Sequence, residues 1–116
     1  MRILIAEDEF LVGIQLEEDL RAAGCSIIGP FSTLSKATQA SRRERFDLAI
    51  LDVNLNGDRV YPLADELSAR RVPFIFLSGY ISADLPERFK GSPQITKPHD
   101  PAALIRQIRT ALPKAD

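Results

Sequence analysis

Leu48-Ala49-Ile50-Leu51-Asp52-Val53-Asn54-Leu55-Asn56-Gly57 passes in one step from four consecutive apolar residues to an acid and a polar turn. A run that is apolar at every position belongs to a strand covered on both faces, and such strands form parallel sheets. Asp52 is therefore expected at the carboxyl end of a buried strand, presented by the turn that follows.

The same grammar recurs on either side. Arg2 to Ala6 is a short apolar run that meets Glu7-Asp8-Glu9, Cys25 to Gly29 is closed by Pro30, and Phe74 to Leu77 lies between Pro73 and Ser78-Gly79. Gln94 to Thr96 is the weakest strand signal and stands before Lys97-Pro98. Between these runs the spacing turns helical. Phe10, Leu11, Ile14, Leu16 and Leu20 predict a helix over Phe10 to Ala23 with Gly24 at its cap. Ser32 or Thr33 caps a second helix reaching about Glu44, and Val60, Leu63, Ala64 and Leu67 predict a third with Pro62 in its first turn. Pro86 makes the helix between Ser82 and Lys90 short or irregular, and Asp100-Pro101 opens the last one. Five strands alternating with about five helices predict an α/β chain, a doubly wound parallel sheet with helices on both faces, folded as one domain over residues 1–116.

Composition narrows the function. At 116 residues, 45% apolar and 27% charged, the chain suits one soluble domain with one core. A formal net charge of -1, from 15 basic and 16 acidic residues, gives no global field for nucleic acid or an anionic membrane. Arg42, Arg43 and Arg45, interrupted by Glu44, read as a solvated helix end, so the expected partner is a protein. The single cysteine, Cys25, excludes an intramolecular disulfide or a cysteine-rich zinc site. No apolar run approaches the roughly 20 residues of a membrane span, and the opening run meets Glu7 too soon for a signal peptide. A cytoplasmic location is expected.

In open parallel sheets ligands gather beyond the carboxyl ends of the strands. That rule collects Glu7, Asp8 and Glu9, Asp52, Ser78 and Lys97 on one rim. Adjacent carboxylates repel, so they call for a cation or a lysine, and Mg²⁺ needs only one or two carboxylates plus waters and a phosphoryl oxygen. Asp8 and Asp52 can supply those carboxylates, with the main-chain carbonyl of Asn54 as a third ligand. A carboxylate can also attack phosphorus. The charge spread over a transferred phosphoryl group then needs a metal, an ammonium and a hydrogen-bond donor, and Mg²⁺, Lys97 and Ser78 match these.

Over essentially its whole length the sequence resembles a response-regulator receiver domain of two-component systems. The matching segments are Ile3-Leu4-Ile5-Ala6-Glu7-Asp8-Glu9, Leu48 through Leu55, Phe74-Ile75-Phe76-Leu77-Ser78-Gly79-Tyr80 and Thr96-Lys97-Pro98. The resemblance implies a flavodoxin-like sheet in the order 2-1-3-4-5, with Asp52 as phospho-acceptor and metal ligand, Asp8 as a direct metal ligand and Glu7 acting on the metal through water. It further implies that Ser78 is the switch hydroxyl, that Lys97 pairs with a phosphoryl oxygen and that Lys97-Pro98 is cis. The implied donor is a sensor histidine kinase or a histidine phosphotransfer protein, the target a downstream protein, with a homodimer left open. Two positions depart from the common pattern. Gln94 stands where many receivers carry an aromatic switch residue, and His99 replaces the usual aromatic after Lys-Pro. Phe76 to Tyr80 resembles the Phe-Ala-Thr-Gly-Tyr signature of alphaproteobacterial single-domain receivers, which makes Ser78, Gly79 and Tyr80 the candidate switch. Gly79 reads either as a hinge or as an ordinary tight turn.

Rival readings have discriminating features. A phosphatase with Asp52 as nucleophile wants an acid two residues on, where this chain has the amide Asn54. A flavin or nucleotide carrier wants a glycine-rich loop after the first strand, where this chain has three acids. A degenerate receiver that docks without phosphorylation is the remaining alternative, opposed by the complete set of acids, hydroxyl and lysine.

Overall fold

Along the first strand, β1 (Arg2–Ala6), side chains alternate between two separate apolar clusters. Ile3 and Ile5 pack with Leu16, Leu20, Leu104 and Ile108, whereas Leu4 and Ala6 pack with Ala37, Leu63, Ala64 and Leu67. Period-two alternation with both sides apolar places the strand between two helix layers. The structure is a computed structural model and describes residues 1–79 and 85–112.

The elements follow in the order β1, α1 (Phe10–Ala22), β2 (Ser26–Phe31), α2 (Leu34–Arg43), β3 (Leu48–Asp52), α3 (Tyr61–Ala69), β4 (Phe74–Ser78), β5 (Gln94–Thr96) and α4 (Pro101–Ala111). The strands form one parallel sheet in the order β2-β1-β3-β4-β5, the flavodoxin-like order implied by the resemblance. α1 and α4 cover one face through Leu16, Leu20, Leu104 and Ile108, and α2 and α3 cover the other through Ala37, Ala40, Leu63 and Leu67. Every residue of β3 and β4 is buried, which is what their unbroken apolar runs require of central strands.

Local chemistry sets the boundaries. Thr33, one of the two candidate caps, accepts from the Lys36 N–H at 3.2 Å, and Asp100 accepts from the Ala103 N–H at 3.0 Å ahead of Pro101. Between Leu85 and Pro93 the chain forms only a 3-10 turn, Glu87–Phe89, in keeping with Pro86 as a breaker. β2 runs on to Phe31, past the expected stop at Pro30. Gly29 makes this possible: it sits at φ 105 in a bulge where pairing with β1 jumps from Leu4–Ile28 to Ala6–Phe31. A Cβ there would lie 2.7 Å from the Ile5 carbonyl oxygen, and a proline is tolerated at a bulge in an edge strand.

The predicted first helix is present as Phe10–Ala22, but only part of its apolar set is covered: Phe10, Leu11 and Ile14 are 77%, 78% and 37% exposed, and the buried stripe of α1 is Gly13, Leu16 and Leu20. The close approach that fixes this stripe is at Gly13, where a Cβ would come within 3.1 Å of Pro30.

Candidate functional site

β1, β3, β4 and β5 end at the same rim, so their last residues converge. Asp52, 4% exposed, closes β3; Glu7, 3% exposed, follows β1; Ser78, 7% exposed, closes β4. Lys97 follows β5, and its main-chain N–H donates to the Ser78 carbonyl at 2.8 Å, locking the two strand ends together.

The Lys97 ammonium is the centre of the cluster. Nζ lies 2.9 Å from Asp52 Oδ2, 2.8 Å from Glu7 Oε1 and 2.7 Å from Glu9 Oε1. Burial opposes the charge of Lys97, but hydrogen bonds to Glu7, Glu9 and Asp52 outweigh it and hold the ammonium above the ordinary lysine range. Glu7 moves the other way. Burial, aided by neighbouring Asp52, pushes its carboxyl up to about 9 against the pull of Lys97.

Asp8 is held differently. Partial burial works against its charge, yet the main-chain N–H of Asn56, donating to Oδ2 at 3.0 Å, and a contact with Asp52 bring its carboxyl below the usual range. Asn56 and Gly57 form the turn of a two-residue hairpin joining Asn54–Leu55 to Asp58–Arg59, at φ 50 and 92. Positive φ at both central residues is the Asn-Gly pattern of a type I′ turn. Asn54 braces the same loop: its N–H donates to Asp52 Oδ1 at 3.2 Å, and its Oδ1 accepts from the Gly57 N–H at 3.0 Å.

The carboxylates of Glu7, Asp8, Glu9 and Asp52 lie within 4.8 Å of one another. An all-oxygen donor set suits a hard divalent ion such as Mg²⁺. Glu7 Oε1 sharpens the fit: although beside Lys97 Nζ, it is the one buried side-chain polar atom among the described residues that makes no well-formed hydrogen bond. It is an acceptor with capacity for a proton, or for water on a nearby cation.

The structure thus brings Glu7, Asp8, Asp52 and Lys97 together, with Ser78 and Asn54 on adjoining backbone. Gly79 follows β4 on the exposed side; it is not at positive φ, and a Cβ would meet nothing within 4 Å, so this conformation does not itself require glycine. Tyr80 lies outside the described residues. Lys97–Pro98 is cis, as the resemblance implied. Sequence reasoning placed Glu9 on the rim but gave it no part, and it passed over Asn56, although Asn-Gly is a strong hairpin signal. Exposed Phe10 and Ile14 line a hollow of about 150 Å³ with Glu7, Asp8, Gly13 and Pro30, directly beside the acids.

Comparison with known proteins gives a consistent result. The sequence matches the family profile described as the response regulator receiver domain over residues 3–109. The transcriptional regulatory protein PdtaR of Mycobacterium tuberculosis is 31% identical over 115 residues, covering 96% of this chain and 56% of that protein. The fold is similar to the solution structure of SdrG from Sphingomonas melonis Fr1, with a TM-score of 0.87, 32% identity and coverage of 96% and 95% of the two chains. It is also similar to the BeF3-activated conformation of SdrG from Pseudomonas melonis Fr1, with a TM-score of 0.80, 33% identity and coverage of 93% and 92%. The chain spans about half the length of the curated relatives it matches.

Proposed function

The chain belongs to the response regulator receiver domain family, and on that premise we propose that it is a phospho-accepting signalling switch whose acceptor is Asp52. Receiver domains are signalling modules. The donor would be a phosphohistidine on a sensor histidine kinase or a histidine phosphotransfer protein. A carboxylate oxygen of Asp52 attacks phosphorus, the P–N bond to the donor imidazole breaks, an acyl phosphate P–O bond forms, and the imidazole leaves with a proton.

The observation that carries this reading is Lys97 Nζ at 2.9 Å from Asp52 Oδ2. The ammonium is already seated where a phosphoryl oxygen would arrive, and it can exchange a carboxylate partner for that oxygen. Asp8, Asp52 and the Asn54 carbonyl would hold Mg²⁺, with Glu7 acting through water. When bound, Mg²⁺ would neutralise charge on the phosphoryl oxygens and orient them for in-line transfer. Ser78 would donate its hydroxyl to the attached group, shifting β4 and its following loop and altering a protein-binding face; Gly79 and Tyr80 complete the proposed switch. A relative of the same fold, SdrG, has a BeF3-activated conformation.

The exposed Phe10 and Leu11, on the first turn of α1 after Glu9, offer apolar surface beside the acids, and we assign the donor protein to it. No helix among the described residues is long and apolar enough to cross a membrane, and a cytoplasmic site of action suits a kinase partner. Phosphoramidate with Mg²⁺ should place one phosphoryl group per chain, mapped to Asp52 and absent from Asp52→Asn. A folded native chain that incorporates none would favour docking without phosphorylation.

A further inference from the structure

His99 stands two residues after Lys97 with a side chain only 3% exposed, and its Nε2 lies 2.6 Å from Asp19 Oδ2 on α1. A carboxylate only accepts, so Nε2 carries the proton, and the bond falls in the short, charge-assisted class. Asp19 is itself restrained: Oδ1 accepts from Gln15 Nε2 at 3.0 Å.

The loop between β5 and α4 is therefore pinned in three directions. Lys97 N–H holds the Ser78 carbonyl at 2.8 Å, Asp100 caps α4 at 3.0 Å, and His99 between them reaches α1. α1 meets the same loop a second time, because Glu9 at its N-terminus is held by Lys97 Nζ at 2.7 Å. Lys97 and His99 thus grip one rigid helix at two points, Glu9 and Asp19, while Lys97 Nζ also contacts Asp52. An apolar ring at position 99 could fill the same space without making the bond to Asp19.

We infer that His99 is a positioning residue: its hydrogen bond to Asp19 ties the Lys97-bearing loop to α1 and holds the ammonium over Asp52. The kinetic part of the test rests on the proposed phospho-acceptor function; the spectroscopic part does not.

With phosphoramidate as donor and Mg²⁺ in excess, His99→Leu, which keeps bulk but loses the donor, should slow phosphorylation about tenfold or more, in line with the sensitivity of rates to small misplacements of positioning groups. Asp19→Ala should do the same. His99→Gln, which can still donate, should recover most of the rate, and the His99→Leu, Asp19→Ala double variant should be no slower than either single one. Mg²⁺ should bind no more weakly in any of these variants. The Lys97 Cε resonance should shift in His99→Leu and return in His99→Gln. Native rates and an unmoved Lys97 resonance in His99→Leu and Asp19→Ala overturn the inference, as does a His99→Gln variant as impaired as His99→Leu. If the native chain takes no phosphoryl group, the functional reading fails separately, and the Lys97 resonance alone decides the tie. If His99→Leu does not fold, Asp19→Ala decides it against the native chain.

Discussion

The main-chain N–H of Asn56 donates to Asp8 Oδ2 across 48 positions of sequence, at 3.0 Å, while the Asn56 side chain donates to the Ser32 carbonyl at 2.9 Å. One residue therefore fixes a proposed metal ligand through its backbone and the loop before α2 through its amide. The two contacts can be separated. Asn56→Gly keeps the N–H and tolerates φ 50, so Mg²⁺ affinity should hold while stability falls by about 0.5–1.5 kcal/mol for the lost side-chain bond. Asn56→Pro removes the N–H and cannot adopt positive φ, so Mg²⁺ affinity should fall as well. Calorimetric Mg²⁺ titration alongside thermal melts checks both, and equal Mg²⁺ affinity in the proline variant would show that Asp8 needs no such brace.

Glu7 makes the metal-free protein sensitive to pH. Its carboxyl is raised from 4.5 to about 9, chiefly by burial, so between those values the folded chain keeps a proton that the unfolded chain releases. The unfolded state then binds fewer protons, and stability must fall as pH rises through this window; the contribution is complete below about 4.5 and lost above about 9. Glu7→Gln should flatten that slope and stabilise the metal-free chain near neutral pH. Mg²⁺ binding should release protons, read from titration heats in buffers of different ionisation enthalpy. A slope of the same size in Glu7→Gln would place the proton elsewhere.

In the proposed site Lys97 would compete with Mg²⁺ for Asp52, which it holds together with Glu7 and Glu9. Lys97→Met removes the positive charge and leaves Glu7 and Asp52 buried without it, which should cost about 1–3 kcal/mol of metal-free stability, less than for a wholly enclosed pair because Glu9 is open to water. Mg²⁺ affinity should rise or stay level, since a competing cation has gone. Phosphorylation should nevertheless slow by about a hundredfold or more, the scale for removing one preorganised donor. Loss of Mg²⁺ binding in Lys97→Met would contradict this division of labour.

The rim was legible in the sequence because strand ends are marked locally. Unbroken apolar runs stop at Glu7, Asp52 and Ser78, the short and weaker Gln94–Thr96 segment stops at Lys97, and a parallel sheet puts all such ends on one side. What escaped depends on contacts between distant positions. The Asn56-Gly57 pair announces a hairpin, but the target of its N–H, Asp8, lies in another loop, and the bond from His99 to Asp19 spans 80 positions. β2 continued past Pro30 because a bulge at Gly29 keeps it in an edge strand, which local punctuation does not reveal. Helical spacing grouped Phe10, Leu11 and Ile14 with Leu16 and Leu20, yet spacing does not say where the sheet stops covering a helix.

The exposed first turn of α1 leads to the last prediction. Phe10 and Leu11 are 77% and 78% exposed, so replacing both with serine removes little buried surface and should leave the melting temperature nearly unchanged. Neither residue touches the acids through a hydrogen bond or ion pair among the described contacts, so phosphorylation by phosphoramidate should keep its native rate. On the proposed docking face a protein donor would bring its phosphohistidine to Asp52 past the first turn of α1, where Phe10 lines the hollow with Glu7, Asp8 and Pro30 and Leu11 follows it on the helix. Truncating exposed aromatic and aliphatic anchors weakens docking by about 1–4 kcal/mol when they sit at the centre of an interface. Phosphotransfer from the cognate kinase should therefore slow in the double variant at low protein concentration and recover at saturating concentration. Equal slowing with phosphoramidate would mean that the pair shapes the site itself, and an unchanged transfer rate from the kinase would place the docking face elsewhere on the molecule.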